Sequence, residues 1–322
     1  MNLKEKRILI TGGHGFLGNH ICSKLKEHGV FELNKINSIE NGFYRFRSSD
    51  YDLTSHAKTM ELFHSFRPDI VIHAAAKVGG IGANKAHPAD YFYDNLMMGV
   101  NIINTTKYFP VEKLVIIGTI CSYPKYTQIP FNEDDIWNGY PEETNAPYGI
   151  AKKALLTQAI AYKQQYGLNF IYLMPVNLYG IGDNFNEKSS HVIPALIKKF
   201  MIAKRDKKEF VEIWGTGEPT REFLYVDDAA DAIVKCTSLY NEPDPMNIGY
   251  GIEIKISHLA QIIKDLVGYD GEVIYNHLHP DGQPRRCLNV SKSVQTIGFY
   301  AKTDLYHGLK NTIEWYHKVS NI

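Results

Sequence analysis

The sequence predicts an α/β fold, a doubly wound parallel sheet with a smaller C-terminal substrate-binding lobe, on three observations. The 322 residues, 44% of them hydrophobic, are enough to bury a sizeable core in one large domain or a domain with a smaller partner. Short apolar runs rich in β-branched residues alternate with segments of helical spacing. A glycine-rich loop follows the first of those runs and opens the first helix.

Residues 7–11 (RILIT) are short, apolar and followed by glycines, the pattern of a strand buried on both faces. Helical spacing through Ile21 and Leu25 predicts a helix over 19–29, closed by Gly29. Further buried strands are expected at 70–73, 114–117 and 170–174, separated by helices at 57–66, 91–108 and 151–166. Strand and helix alternating in this way imply right-handed crossovers and a parallel sheet covered on both sides. The stretch 179–190 is rich in Gly, Asn, Asp and Ser and reads as a long active-site loop. The charged run 204–209 reads as a solvated loop. Residues 1–178 are expected to form the dinucleotide-binding domain, rejoined by about 222–248, with the rest of 179–322 forming the smaller lobe over the C-terminal edge of the sheet. Open α/β sheets bind their ligands at that edge.

Composition narrows the function. Lys and Arg number 35, as do Asp and Glu, and zero net charge argues against a nucleic-acid partner. The four cysteines Cys22, Cys121, Cys236 and Cys287 show no CxxC spacing, so neither a metal site nor a disulfide framework is expected. The chain enters its first strand after six residues, without a signal-peptide pattern. No apolar run approaches the roughly 18 residues a membrane span needs. A cytoplasmic protein acting on a small molecule, without a membrane partner, is the expectation.

The glycine loop is Thr11-Gly-Gly-His-Gly-Phe-Leu-Gly18. Gly12 permits a tight turn, Gly15 lets the backbone approach a pyrophosphate, and Gly18 permits close helix–strand packing. Gly13, His14, Phe16 and Leu17 complete the loop. Its GxxGxxG spacing is typical of extended short-chain dehydrogenases rather than the GxGxxG of other Rossmann enzymes. After the second strand, Arg45 and Arg47 favour a ribose 2′-phosphate and hence NADP, with NAD the alternative, while Asp52 suits the adenine region.

Tyr148 and Lys152 form a YxxxK pair whose i,i+4 spacing puts both side chains on one helix face. A free phenol, with pKa about 10, is a poor acid–base group at neutral pH. A nearby ammonium and a positive nicotinamide are expected to lower it. Thr119, just past the strand at 114–117, supplies a third hydroxyl to orient a carbonyl. Together they read as a hydride-transfer site. Cys121 and His191 have the chemistry to remove and return a proton α to a keto group. Spacing alone favours a small buried thiol and an ordinary loop histidine.

These residues lie within longer stretches that resemble the GDP-L-fucose synthase branch of the extended short-chain dehydrogenase/reductases. The stretches are HAAAKVGGIGAN (73–84), YFYDNLMM (91–98), CSYPK (121–125), EETNAPYGIAK (142–152), MPVNLYG (174–180), DNFNEKSSHVIPAL (183–196), WGTGEPTREFLYVDD (214–228) and PDGQPR (280–285). They run in order along nearly the whole chain. The resemblance implies a GDP-linked keto-sugar substrate, GDP-4-keto-6-deoxy-mannose. Cys121 would be the base and His191 the acid of epimerisation at C3 and C5. NADPH would then reduce C4, with Tyr148 donating a proton, Thr119 holding the oxygen and Lys152 tuning Tyr148. Ile117, Gly118, Pro175, Val176, Asn177, Leu178, Lys152 and His191 would line the cofactor beside the glycine loop. Lys199, Trp214, Arg221 and Asp281 would hold the sugar nucleotide, the cations suiting its diphosphate.

The pattern departs from the branch at several points. Thr119 stands for the usual serine, Ile120 for a second serine, Ser122 for an apolar residue, Lys199 for an arginine, and Gly13-His14 for His-Arg. The alternative is a C4 reductase or dehydrogenase of a related GDP-sugar, such as a heptose, without epimerisation. A homodimer is expected, through the apolar faces of 91–108 and 151–166, although a helix covering the sheet looks the same.

Overall fold

The computed structural model describes residues 1–278 and 281–320. Its main sheet has six strands in the order β2-β1-β3-β4-β5-β9. These are β1 (Arg7–Thr11), β2 (Gly42–Arg45), β3 (Ile70–His73), β4 (Lys113–Ile117), β5 (Phe170–Pro175) and β9 (Met246–Ile248). Every pairing is parallel. The helices that cross between its strands are α1 (Phe16–Glu27), α2 (His56–Phe66), α3 (Ile81–Ala86), α4 (Pro88–Thr105) and α5 (Ala146–Tyr166). The strand order reverses beside β1, which puts a crevice at the carboxyl ends of β1 and β3.

Two helices begin earlier than the spacing predicts. α4 starts at Pro88 and α5 carries Pro147 in its first turn. Proline's fixed φ suits that position, and its missing N–H would have had no intrahelical partner. Tyr148 therefore lies in the first turn of α5 rather than ahead of the helix. α1 likewise starts at Phe16 rather than Asn19, taking Gly18 into its first turn.

After β5 come β6 (Asn177–Tyr179), α6 (Val192–Arg205), β7 (Phe210–Trp214), β8 (Thr220–Tyr225) and α7 (Val226–Leu239). The last part adds β10 (Glu253–Lys255), α8 (Ile256–Val267), β11 (Glu272–Asn276), α9 (Ser291–Ile297) and α10 (Leu305–Val319). Strands β10, β8 and β6 form a second sheet, and β11 pairs with β7. The charged run 204–209 finishes α6 before it turns.

Apolar burial falls into two cores. One spans both faces of the main sheet and includes Ala229, Ile233 and Val234 of α7. Leu288, Ile297 and Phe299, which the sequence reading places in the smaller lobe, also pack there. The second core joins Ile197 and Phe200 of α6 to Ile213, Leu259, Ile263 and Leu309. The chain thus re-enters the first core twice, through α7 and again through 288–299. Among the described residues no helix is long and apolar enough to cross a membrane.

Candidate active site

The glycine loop leaves β1 and enters α1 with no room for side chains. Gly12 takes φ +69°, and a Cβ there would lie 2.7 Å from the Ala75 nitrogen. A Cβ on Gly18 would stand 2.0 Å from the Gly12 oxygen. No side chain caps α1, so its first-turn N–H groups face outward, as anion binding at a helix N-terminus requires. This bare cradle fits a dinucleotide pyrophosphate. The two arginines beyond β2 differ. Arg45 is spent on Glu32 (2.6 Å), Asn19 and the Gly13 carbonyl, so it braces the loop. Arg47 is exposed, and its guanidinium has no ion pair among the described residues. His14 sits close enough to both cations that burial and their charge lower its pKa. Asp52 holds the Thr54 amide and hydroxyl through Oδ1.

Thr119, Tyr148 and Lys152, the residues expected to serve hydride transfer, converge where the turn after β4 meets the start of α5. Thr119 follows β4, and its hydroxyl accepts the Cys121 amide (3.1 Å) and hydrogen-bonds the Tyr148 phenol. Gly149 lets α5 touch this turn: a Cβ there would sit 2.2 Å from the Cys121 carbonyl oxygen, while Ser122 Oγ donates to the Gly149 carbonyl at 3.0 Å. Lys152 is anchored from behind by Tyr172, whose hydroxyl donates to the Lys152 carbonyl (2.9 Å). The Tyr172 ring in turn fills the space a Cβ on Gly118 would need.

Burial, with a smaller push from the Cys121 side, raises the Tyr148 phenol above its ordinary value despite the Thr119 hydrogen bond. Burial lowers Lys152 to about 8. The Lys152 ammonium stands 6.0 Å from the Tyr148 ring centre and does not outweigh desolvation. Burial thus favours the protonated phenol.

Cys121 is the one cysteine of the four that is not buried. Arg286 Nη1 points at its sulfur from 3.6 Å, across 165 residues of sequence. Arg286 is buried and braced by Gln283 (2.7 Å). The sequence reading missed it, though it directly follows the last quoted stretch. Arg221 is lowered to about 10 by burial first and then by the Arg286 charge, with Cys121, Glu142 and Asp281 pulling the other way. Glu142 is lowered because hydrogen bonds from Thr144 and Asn145, with Arg286 nearby, outweigh its burial. Asn145 caps this corner and accepts from Asn84 at 2.9 Å.

Glu222 holds the two arginines in register. Its buried carboxylate accepts the amides of Tyr250 (2.5 Å), Gly251 (2.7 Å) and Leu288 (2.7 Å), while its own amide donates to the Arg286 carbonyl. Asn177 donates its side-chain N–H to the Glu222 carbonyl (2.9 Å). Ile117 ends β4, Pro175 ends β5, and Val176 and Leu178 continue from it.

His191 stands immediately before α6 and is open to the cleft. The protein surrounding it still lowers its imidazole by desolvation. Lys199 donates to the Glu212 carbonyl (2.9 Å) and lies 5.5 Å from the exposed Trp214 ring. Asp281 accepts the Thr216 amide and hydroxyl at 2.7 and 2.8 Å, tying its loop to the turn after β7. The structure thus places the five candidate acid–base groups on the turn after β4, on α5 and at the end of the 180–191 loop, with Lys199 on α6 and Trp214 on β7.

The site is that of a nicotinamide-dependent enzyme with a buried tyrosine acid and a separate thiol. The chain belongs to the NAD dependent epimerase/dehydratase family, whose model matches residues 8–249. It is 40% identical to GDP-L-fucose synthase 1 of Arabidopsis thaliana over 99% of this chain and 95% of the relative. Its fold is similar to a GDP-6-OMe-4-keto-L-xylo-heptose reductase from C. jejuni, with TM-score 0.90, 29% identity, and 98% and 99% of the two chains covered. A GDP-L-fucose synthetase from Naegleria fowleri bound to NADP gives TM-score 0.86 at 26% identity, covering 98% and 95%.

Two predictions follow from this geometry. Gly149→Ala forces α5 away from the Cys121 carbonyl; urea unfolding should show a loss of about 1–3 kcal/mol, with activity down about a hundredfold. His20 lies 2.5 Å from the Asp227 carboxylate and 2.8 Å from the Ile181 carbonyl, two acceptors that favour the doubly protonated ring. Burial opposes that charge, but these two acceptors prevail and raise its pKa. The stability it adds is complete below the ordinary imidazole value and lost as pH rises through the raised one. The stability difference between wild type and His20→Gln should therefore be largest near pH 6 and shrink by about pH 9; an equal difference at both would contradict the clasp.

Proposed function

We propose that this chain epimerises a GDP-4-keto-6-deoxy-hexose at C3 and C5 and reduces it at C4 with NADPH, as a GDP-L-fucose synthase does. The observation that carries the reading is the pairing of a buried Thr119–Tyr148–Lys152 group with a thiol, Cys121, that sits on the same turn beside Arg286. A simple reductase needs only the first.

The 4-keto group acidifies the protons on C3 and C5. Cys121 as thiolate takes each proton, and the electron pair moves onto the keto oxygen as an enediolate. Thr119 and Tyr148 hold that oxygen through their hydroxyls. His191 returns a proton to carbon from the opposite face, inverting the centre. Between the two rounds Cys121 gives its proton to the water of the cleft and His191 regains one, which its openness to that cleft supports. The reduced nicotinamide, when bound, supplies the hydride for C4. Tyr148 protonates O4, the role its raised pKa favours, and Lys152 orients the nicotinamide ribose. Gly12, Gly13, His14, Gly15, Phe16, Leu17 and Gly18 would hold the pyrophosphate, with Arg47 on the 2′-phosphate and Asp52 near the adenine. Ile117, Gly118 and 175–178 would line the nicotinamide half. Lys199, Trp214, Arg221 and Asp281 are assigned to the GDP moiety.

The likeness to the heptose reductase favours a second reading, C4 reduction of a GDP-heptose without epimerisation. We also propose a homodimer through α4 and α5, where Phe92 and Tyr140 are exposed and, with Ala89 and Ile150, line an apolar surface depression. Catalysis in the cytoplasm accords with these assignments.

The deciding experiment supplies GDP-4-keto-6-deoxy-mannose and NADPH and identifies the product: GDP-L-fucose is expected, whereas turnover of GDP-4-keto-heptoses alone would favour the second reading. Tyr148→Phe should lower turnover about 10²–10⁴-fold while NADPH still binds, as checked by fluorescence titration. Arg47→Ala should raise the KM for NADPH about tenfold, the order expected from losing one charge-assisted phosphate contact, and leave that for NADH unchanged. Equal effects on both cofactors would remove Arg47 from the 2′-phosphate.

A further inference from the structure

The imidazole of His191 makes no capping hydrogen bond, so its place in the cleft is set by the backbone that carries it. That backbone is the end of a self-braced loop. Asn184 Oδ1 accepts the Asn186 amide, Asn184 Nδ2 donates to Ser189 Oγ, and the amides of Ser189 and Ser190 both donate to the Asn186 carbonyl. On the outer side, Phe185 stacks on Tyr316 at 3.7 Å, and Lys198 pairs with Glu187. On the inner side, the Gly80 amide donates to the Ser189 carbonyl at 3.0 Å.

Gly80 stands against the carbonyl that directly precedes His191. A Cβ there would lie 2.4 Å from the Ser190 oxygen, a backbone atom that cannot rotate away. Its own φ of −64° and ψ of 174° suit any residue, so a methyl group at this site meets a steric cost alone. Its neighbours grade the effect. A Cβ on Gly79 would press first on Ala83 Cβ at 2.9 Å and the Tyr91 hydroxyl at 3.2 Å, and only touch the Ser189 oxygen at 3.4 Å; one on Gly82 would meet only the Lys188 oxygen, at 3.8 Å.

We propose that Gly80 is a positioning residue for His191: its amide and its missing side chain dock the 189–190 backbone at the depth from which the imidazole reaches the substrate. The inference rests on the reading of His191 as the acid of epimerisation. A shift of about 1 Å in a proton donor is enough to cost on the order of a hundredfold in its own step. The C4 chemistry uses Thr119, Tyr148 and Lys152 on other elements, so with NADP⁺ saturating, which offsets any loss of the His191 contact to the cofactor, it is affected less than proton return to carbon.

The test compares Gly80→Ala, Gly79→Ala and Gly82→Ala in two assays. One is deuterium uptake with inversion at C3 and C5 of the GDP-4-keto-6-deoxy sugar in deuterated water without NADPH, since Cys121 alone could return deuterium only with retention. The other is oxidation of GDP-L-fucose at C4 with saturating NADP⁺. Uptake should fall about 10–100-fold in Gly80→Ala, less in Gly79→Ala and not in Gly82→Ala, with C4 oxidation near wild type in all three. Should Gly80→Ala lose both activities through misfolding, the milder Gly79→Ala carries the comparison. Equal uptake in Gly79→Ala and Gly82→Ala, or parallel loss of uptake and C4 oxidation in Gly79→Ala, would overturn the proposal. Absence of uptake in the wild type would instead defeat the functional reading. The docking would then be judged by the His191 ring resonance, identified by its loss in His191→Ala. A displaced resonance in Gly80→Ala but not in Gly82→Ala supports the docking, and an unmoved one in both refutes it.

Discussion

The contact on which the site depends is the approach of α5 to the turn after β4, made at Gly149. The Cys121 carbonyl occupies the space where any other residue would carry its Cβ. That approach puts the phenol of Tyr148 against Thr119, buries Lys152 one turn later, and leaves the Cys121 thiol on the open side of the same turn. The burial that results sets the chemistry. It favours the protonated form of the Tyr148 phenol and brings Lys152 down to about 8.

A second constraint crosses the two cores. Glu222 lies on β8, yet its carboxylate gathers amides from the turn after β9 and from the segment at 288. Three backbone hydrogen bonds satisfy a carboxylate that would otherwise be costly to bury. The return is geometric: Arg286 reaches the thiol at 3.6 Å, and Arg221 lies near enough to feel the charge of both. The cationic side of the cleft is therefore built by the second sheet and the C-terminal segment, while the hydroxyl side is built by the main sheet.

Much of this was legible in the sequence, because its signals are local. Four of the buried parallel strands read as near-continuous apolar runs, and β1 and β3 match their expected limits. The glycine loop and the YxxxK pair carry their geometry within a few residues. What was not legible depends on contacts distant in sequence. Arg286 reaches Cys121 from 165 residues away, and no spacing rule joins them. Arg45 and Arg47 look alike on the chain, but only the fold shows Glu32 beside the first. At Tyr148 a nearby ammonium is visible in the sequence, whereas the desolvation that raises its phenol is set by the fold. The return of 288–299 to the first core was missed for the same reason, since its apolar residues carry no mark of which core they join.

The account's central claim is that one cleft performs both proton exchange at carbon and hydride transfer. The most direct measurement is turnover of GDP-4-keto-6-deoxy-mannose with NADPH in deuterated water, with the product read by NMR. The account predicts deuterium at both C3 and C5 of an L-galacto product. Reduction at C4 with protons retained at C3 and C5 would contradict it, leaving a reductase in which Cys121 and His191 take no part in the chemistry.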